Sequence, residues 1–454
     1  MRLCNRCLKS ALILSALCGS VALTACGGVQ NGHNDFTGEP ELSVWLDGYS
    51  GDYMNALLDQ FVRENPGVTI KSSDFTDVNI PDFRTKLAND LMAGEGPDIV
   101  LASNTANNTI QNLTKLLQND IFLDTAELSV DLSGCDQRVL AAGRYEGKQY
   151  MIPLNYSVGF MVTSEERLSK YGVDDSDLGS FADSLEGIYK YGRYAFLDVF
   201  TTEFLCRQNG IELIDYENKS LRTDKTATDL LRGISDAYEK LFPGIFSENK
   251  YNVYRFTAKL KDYGGSVDQA YGSGDLVFYS APAFMGYYEN ISYMNPACAR
   301  ILSAGDTPAL ITFPTVDGSA PSPNVNYLVL VNANTENKEA AKLFIESAVG
   351  IESQYLCGMS WGIPVNTGLV GKLRDFYVDG KVDEKYTFND DCVLTEGFAK
   401  KYFDAIDSLD DGVYIDVMTS GRLFSVVREY CSNGGDISAA LESGKKNVSL
   451  YLSE

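Results

Sequence analysis

Apolar and polar positions change their spacing several times along this chain, and each change marks a boundary. Residues 11–25 are apolar or small without interruption and follow a basic start at Arg2, Arg6 and Lys9. That run falls short of the ~20 residues a membrane span needs and fits the core of a secretory leader. From Gly27 to Pro40, "GGVQNGHNDFTGEP", the apolar period vanishes and Gly and Asn predominate, as in a tether. As a flexible coil these fourteen residues span about 20 Å root-mean-square. "LSVWL" at 42–46 then predicts a buried strand and "DGYSG" a loop. Met54, Leu57, Leu58, Phe61 and Val62 recur at helical spacing, which predicts one helix face. Ser50 is placed to cap that helix, and Pro66-Gly67 stops it. "VTI" at 68–70 predicts a second strand, 82–92 a second helix, and "DIVLAS" at 98–103 a third strand ending in polar residues after the break "AGEGP". The alternation is a βαβ pattern and implies α/β architecture with parallel strands. Ligands of open parallel sheets meet the loops at the carboxyl ends of the strands. Trp45, Asp47, Tyr49, Ser103 and Asn104 are therefore expected near one edge.

Composition narrows the function. The chain has 62 acidic and 38 basic residues, for a net charge of −24. The mature chain is near −27 once residues 1–25, with three bases and no acid, are set aside. Such a surface repels nucleic acid, gains nothing from anionic lipid and argues against a polyanionic ligand. The 429 residues after the leader suffice for two or three domains with a large apolar core. The single histidine, His33, lies in the tether, which excludes Ser-His-Asp and Cys-His catalysis and zinc sites built on several histidines within the fold. No P-loop and no GxGxxG after a strand is present, and nothing calls for a cofactor or a metal. "DDSDLGS" at 174–180 lacks the twelfth-position Glu of a calcium loop and is expected to be a solvated turn. A mechanism built on two carboxylates, as in glycoside hydrolysis, survives this filter. Cys135, Cys206, Cys298, Cys357, Cys392 and Cys431 are scattered without metal-site spacing; their even number permits disulfides, and buried thiols are the alternative.

Leu23, Thr24, Ala25 and Cys26 resemble the lipobox of bacterial lipoproteins. The resemblance implies cleavage after residue 25, lipidation of Cys26, and an exported protein held to the outer face of the membrane by more than one acyl chain, each buried CH₂ contributing ~0.8 kcal/mol.

Longer stretches resemble a family. "VWLDGYSGDYMNALLDQFVRENPGVTI", "FRTKLANDLMAGEGPDIVLAS", "YEGKQYMIPLNYSVGFMVTSEERLSKYGV" at 145–173, "YGSGDLVFYSAPAFMG" at 271–286, "ALITFPTVDG" at 309–318 and "NYLVLVNANTENKEAAKLFIESAVGIESQYLCG" at 326–358 occur in order. Together they are similar to the family 1 extracellular solute-binding proteins of ABC importers, the group containing the maltose-binding proteins. The resemblance implies a two-lobed periplasmic-binding-protein fold of class II type with a ligand cleft between the lobes. It further implies a signal peptide at 1–25, a tether at 26–40, lobe I from 41–153 with 329–349, and lobe II from 154–328 with 350–454. The implied function is capture of a solute, most of all a sugar or oligosaccharide, and its delivery as a monomer to permease subunits by lobe closure.

By the same resemblance Tyr156, in "IPLNYS", and Trp361, in "MSWGIPVN", lie beside crossings between the lobes. Trp45 and Trp361 are the only tryptophans, and large aromatics with a polar tip suit a half-wet sugar cleft. Phe284 stands ten residues after Gly274, where maltose-type relatives place a stacking tryptophan, with Tyr279 in the same stretch. Val277 and Phe278 replace the small residue and Met usual there, which argues against maltose itself. Asp47, Asn104 and Asn155 offer hydrogen bonds to hydroxyls. Core packing is the competing role for each aromatic, and capping of a helix or turn for each polar residue. Two other functions are compatible with the sequence: a surface glycosidase using two carboxylates, and a binding protein that feeds a membrane sensor.

Overall fold

Leu42, Val44 and Leu46 alternate with more exposed residues, and this period of two forms strand β1 (Glu41–Leu46) with its apolar face fully buried. Helix α1 (Gly51–Glu64) follows. Met54, Leu57, Leu58 and Phe61 are buried as their spacing predicts, but Val62 is 40% exposed and Tyr53 takes its place in the core. At 100° per residue the buried stripe centres between Leu57 and Met54, so Tyr53 enters it and Val62 falls outside. Strand β2 (Thr69–Ser73), helix α2 (Ile80–Met92) and strand β3 (Ile99–Ser103) complete the predicted series. β1 pairs in parallel with both β2 and β3.

The structure is a computed structural model. It describes residues 40–46, 51–73, 80–103, 110, 113–172, 206–241, 244, 246, 260–274, 277–279, 291–313, 315–316, 318–358, 362–388, 394–414 and 417–453. These belong to one compact unit, Glu39–Glu454; residues 1–39 lie outside the described residues.

Beyond β3 come the short helices α3 (Leu113–Gln118) and α4 (Gln137–Ala141) and a hairpin of β4 (Arg144–Tyr145) and β5 (Lys148–Gln149). Glu146 and Gly147 both have positive φ, the turn geometry that matches the twist of a two-residue hairpin. Strand β6 (Met151–Ser157) is buried along its whole length. After two residues β7 (Phe160–Ser164) starts a different sheet, followed by α5 (Glu165–Tyr171). A second hairpin, β8 (Ile214–Asp215) with β9 (Ser220–Leu221), precedes α6 (Lys225–Leu241), α7 (Val267–Gly272) and α8 (Ile291–Ser303). β10 (Pro308–Thr312) pairs antiparallel with β7, and β11 (Asn324–Val331) returns to the large sheet. Then come α9 (Lys338–Val349), strand β12 (Ile363–Pro364), α10 (Thr367–Tyr377), α11 (Glu396–Asp407), α12 (Val417–Ser432) and α13 (Ile437–Ser453).

The six-stranded sheet has the order β12-β6-β11-β3-β1-β2. It is mixed, not purely parallel: β11 runs antiparallel to β3 and to β6, and β12 antiparallel to β6. No single crossover helix joins β3 to β11, so the rule that makes β1, β2 and β3 parallel does not reach it. On α9, Ala341, Phe344, Ile345, Ala348 and Val349 are buried as expected, and Phe344 meets Phe61 of α1 edge-on at 5.2 Å. The turn in "AGEGPDI" needs glycine at position 96, whose φ is +99°. C-terminal to it, Asp98 accepts hydrogen bonds from Ser43 N (2.8 Å) and Oγ (2.6 Å), from Thr335 Oγ1, and from Asn337 Nδ2 (3.3 Å).

Cys135 and Cys431 carry free thiols, Cys206 and Cys298 are buried, and Cys392 lies outside the described residues. Burial pushes the Cys135 and Cys431 thiols up to about 12, so both stay protonated and unreactive at neutral pH.

Candidate functional site

The carboxyl ends of β1 and β3 open on the same edge of the large sheet, and β6 and β11 meet them there in opposite directions. Ser103, the last residue of β3, is paired with Tyr327 of β11, and Tyr327 is paired with Asn155 of β6. All three are buried. Tyr53 of α1 packs against Tyr327 with ring centroids 5.0 Å apart. The β6–β11 ladder shifts register on either side of Tyr327, which leaves the backbone there irregular.

The buried polar groups of this edge are incompletely paired. Ser157 Oγ donates to Asn324 O (3.3 Å) and to Asn326 Oδ1 (3.2 Å). Asn155 is 0% exposed, yet neither its amide nitrogen nor its amide oxygen has a hydrogen-bond partner. Asn324 Nδ2 is likewise buried without a partner. An unpaired buried amide group costs roughly 1–3 kcal/mol, so folding alone gives no reason for asparagine at 155. Gly362 closes the edge. A Cβ there would lie 2.7 Å from both Tyr156 O and Asn326 Nδ2, and its φ of +137° suits only glycine. The next residue, Ile363, pairs with Tyr156.

Tyr156 itself points into the interior, not onto an open face. It is 1% exposed. Burial, and after it the Asp136 and Asp407 carboxylates, push its hydroxyl far above the usual tyrosine range, while Arg138 pulls the other way. Arg138 is fixed there by two hydrogen bonds to Asp136 (3.0 and 2.6 Å) and by the carbonyls of Asp407 (2.8 Å) and Leu409 (3.2 Å). Trp45 is half-buried on β1, with Lys86 Nζ 5.5 Å from the ring centroid. Tyr279 lies beside β7: its N–H donates to Val162 O (2.7 Å), its hydroxyl bonds Asp268 Oδ1, and its ring meets Tyr271 at 5.4 Å. Asp47, Tyr49, Asn104, Phe284 and Trp361 lie outside the described residues, as do Cys26, the Ser50 cap and the acidic stretch 174–180.

The structure thus gathers Ser103 and Asn155 on the two strands that flank β11 and adds Tyr53, Tyr327, Asn324 and Asn326. In "NVNYLVLV" the polar residues at 324 and 326 interrupt an apolar strand at period two, a signal that marks one strand end as polar.

Residues 47–355 match the family described as bacterial extracellular solute-binding protein. The chain belongs to that family. Three solved structures are similar to it. One is an extracellular solute-binding protein of family 1 from Alicyclobacillus acidocaldarius, 16% identical, covering 92% of this chain and 100% of that one with a TM-score of 0.58. Another is the GacH receptor of Streptomyces glaucescens, solved unliganded and with acarbose, at 16% identity, 92% and 99% coverage and a TM-score of 0.56. The third is a periplasmic oligogalacturonide binding protein from Yersinia enterocolitica, at 14% identity, 91% and 99% coverage and a TM-score of 0.57. This likeness establishes the two-lobed α/β fold. Membership in an extracellular solute-binding family makes the protein an exported binding protein, and among the described residues no helix is long and apolar enough to cross a membrane.

Proposed function

We propose that this solute-binding protein captures a sugar or oligosaccharide and delivers it to the permease subunits of an ABC transporter. The observation that carries the reading is the buried amide of Asn155, with the amide nitrogen of Asn324, left without partners at the carboxyl edge of the large sheet. A carboxamide offers both a donor and an acceptor, which a sugar hydroxyl matches atom for atom. That one similar structure was solved with acarbose and another is of an oligogalacturonide binding protein supports the same class of solute.

In this reading lobe I comprises 41–153 with 329–349 and lobe II 154–328 with 350–454. The change of sheet between Ser157 and Phe160 supports a crossing there, while Asn324–Leu328 and Ile363–Pro364, paired into the large sheet, are the other two crossing strands. Ligand contacts to both lobes exist only when they close, so ligand shifts the population to the closed form. Asn155, Ser103 and Trp45, with Asp47, Tyr49, Asn104, Tyr279, Phe284 and Trp361, line the cleft, and Tyr156 braces the crossing from behind. The protein acts as a monomer without catalysis, held to the membrane by a lipid on Cys26.

Titration calorimetry against a panel of mono- and oligosaccharides tests this. Asn155→Leu removes the unpaired amide at similar volume. It is expected to leave the ligand-free protein as stable as the parent or more so, and to weaken saccharide binding by about 1–3 kcal/mol. Trp361→Ala is expected to weaken binding by a similar amount. No binding to any member of the panel, or parental affinity in Asn155→Leu, rejects the saccharide reading. The anchor has its own test: Cys26→Ser is expected to move the protein from the membrane to the soluble fraction, and retention with the membrane would refute lipidation at that residue.

A further inference from the structure

The β4–β5 hairpin, the β8–β9 hairpin and the segment Val413–Tyr414 surround a cavity of about 770 Å³. It lies at the far end of β6 from the amides just described. The hairpin precedes Met151, and Asn155 is four residues further along the strand, about 13 Å at ~3.3 Å per residue.

Two features define its chemistry. The first is aromatic. Tyr145, Tyr216 and Tyr414 form a three-ring cluster with centroids 5.6, 5.7 and 5.8 Å apart. Helix α3 holds two of them in place: Gln118 Nε2 donates to the Tyr145 hydroxyl (3.1 Å), and the Tyr414 hydroxyl is 3.0 Å from Thr114 Oγ1. The second is charge. Glu146, Glu212, Asp215 and Glu217 line the cavity against Arg144 and Arg222. Both arginines are already engaged elsewhere. Arg144 Nε donates to Gln149 Oε1 (3.1 Å), while Arg222 uses Nε on Asp224 Oδ2 (2.8 Å) and Nη1 on the Glu212 carbonyl (2.9 Å). Among the described residues neither forms an ion pair with a lining carboxylate. Asp215 is occupied by Asn218, with both contacts at 2.8 Å, but among the described residues Glu146, Glu212 and Glu217 form no ion pair. The surrounding walls push the Glu212 carboxyl up, and Asp215 adds to this against the pull of Arg222.

We propose that this cavity is a second binding site, for a small organic cation bearing an alkylammonium group. Tyrosine rings attract a cation through the negative potential of their faces. The uncompensated carboxylates at the rim add to the attraction, and the strongly acidic chain as a whole raises the local concentration of cations. An anion meets the opposite field. A neutral polyol gains nothing from the charge. The site stands apart from the sugar reading, because nothing in it uses the Asn155 edge.

The test is titration calorimetry of the mature chain with n-butylammonium chloride, with n-butanol as the neutral isostere and sodium chloride at matched ionic strength. Saturable binding of n-butylammonium is expected, without saturable binding of n-butanol. Glu212→Gln and Tyr414→Leu are each expected to weaken it about tenfold, with melting curves confirming that both variants fold. Tyr414→Phe, which keeps the ring, is expected to bind within about twofold of the parent. No saturation, equal binding of n-butanol, abolition by sodium chloride alone, or parental affinity in both folded variants overturns the proposal. If Tyr414→Leu fails to fold, Glu212→Gln decides alone.

Discussion

Replacing Asp98 by alanine is expected to lower the stability of the folded unit by about 3 kcal/mol. The carboxylate is the node at which three distant stretches of chain meet. Ser43 belongs to β1, while Thr335 and Asn337 lead into α9, and all three donate to it. Asp98 N returns a bond to Ser43 Oγ (2.9 Å). Alanine leaves these donors facing an apolar methyl, and Thr335 is buried too deeply for water to replace the lost acceptor. The charge contributes as well. Burial works against it, but the hydrogen bonds from Ser43, Thr335 and Asn337 together outweigh burial and hold the Asp98 carboxyl below its ordinary value. A depressed carboxylate contributes stability that is fully present above the unfolded value of about 3.9 and is lost as pH falls through the lower folded value. Denaturant unfolding of the parent and Asp98→Asn is therefore expected to differ most near neutral pH and to converge below about pH 4. A difference that stays constant from pH 7 to pH 3 would show that the charge plays no part.

Phe344→Ala is expected to cost about 3–5 kcal/mol. Phe344 is 0% exposed, lies in the centre of the buried face of α9, and meets Phe61 edge-on. Truncation removes the transfer energy of the ring and opens a cavity between α9 and α1 that rigid neighbours fill only in part. The edge-to-face contact adds roughly 0.5–1.5 kcal/mol beyond burial. The expected observation is a lower midpoint of denaturant unfolding with an unchanged slope, and without loss of saccharide affinity at temperatures where the variant is folded. A midpoint within error of the parent would mean that the α1–α9 contact is not part of the cooperative core.

Asp98 also shows what kind of residue a family motif marks. It sits in "AGEGPDI", at the amino end of β3 and so at the opposite edge of the sheet from the strand ends expected to meet ligand, and its carboxylate is spent on β1 and on the approach to α9. Asn332, in the matching stretch of β11 and its turn, is likewise structural: its amide donates to the carbonyls of Glu95 (3.0 Å) and Pro97 (3.1 Å). Much of the motif that identifies the family therefore ties β1 and β3 to the approach to α9 and leaves ligand choice to other residues.

Tyr156 and Asn155 are neighbours, and the sequence does not tell them apart. In "MIPLNYS" both fall in a strand with no clean alternation, so each has an equal claim to the cleft. Residues 136–138 and 407–409, far apart in the chain, enclose Tyr156 from one side. The register shift at Tyr327 leaves the amide of Asn155 buried and unpaired. Both outcomes depend on segments that approach β6 from elsewhere in the sequence.

Local spacing alone determined β1, α1, β2, α2, β3, the buried face of α9 and the parallel pairing of the first three strands, because each follows from periodicity within one element or from a short crossover. The single histidine, at position 33 and so before β1 in the chain, removed histidine-based chemistry from the described residues for the same reason: composition needs no geometry. Only the tertiary structure decided that the sheet is mixed, that β11 and β12 flank β6, that Tyr156 is core, and that the Asn155 amide and the Asn324 amide nitrogen lack partners at the sheet edge. These depend on pairings between residues as far apart as Ser103 and Tyr327 or Asn155 and Pro364. A pairing at that separation has no local periodicity to announce it. It is selected by the fit of whole elements after they form, and the burial of each polar group is settled only then.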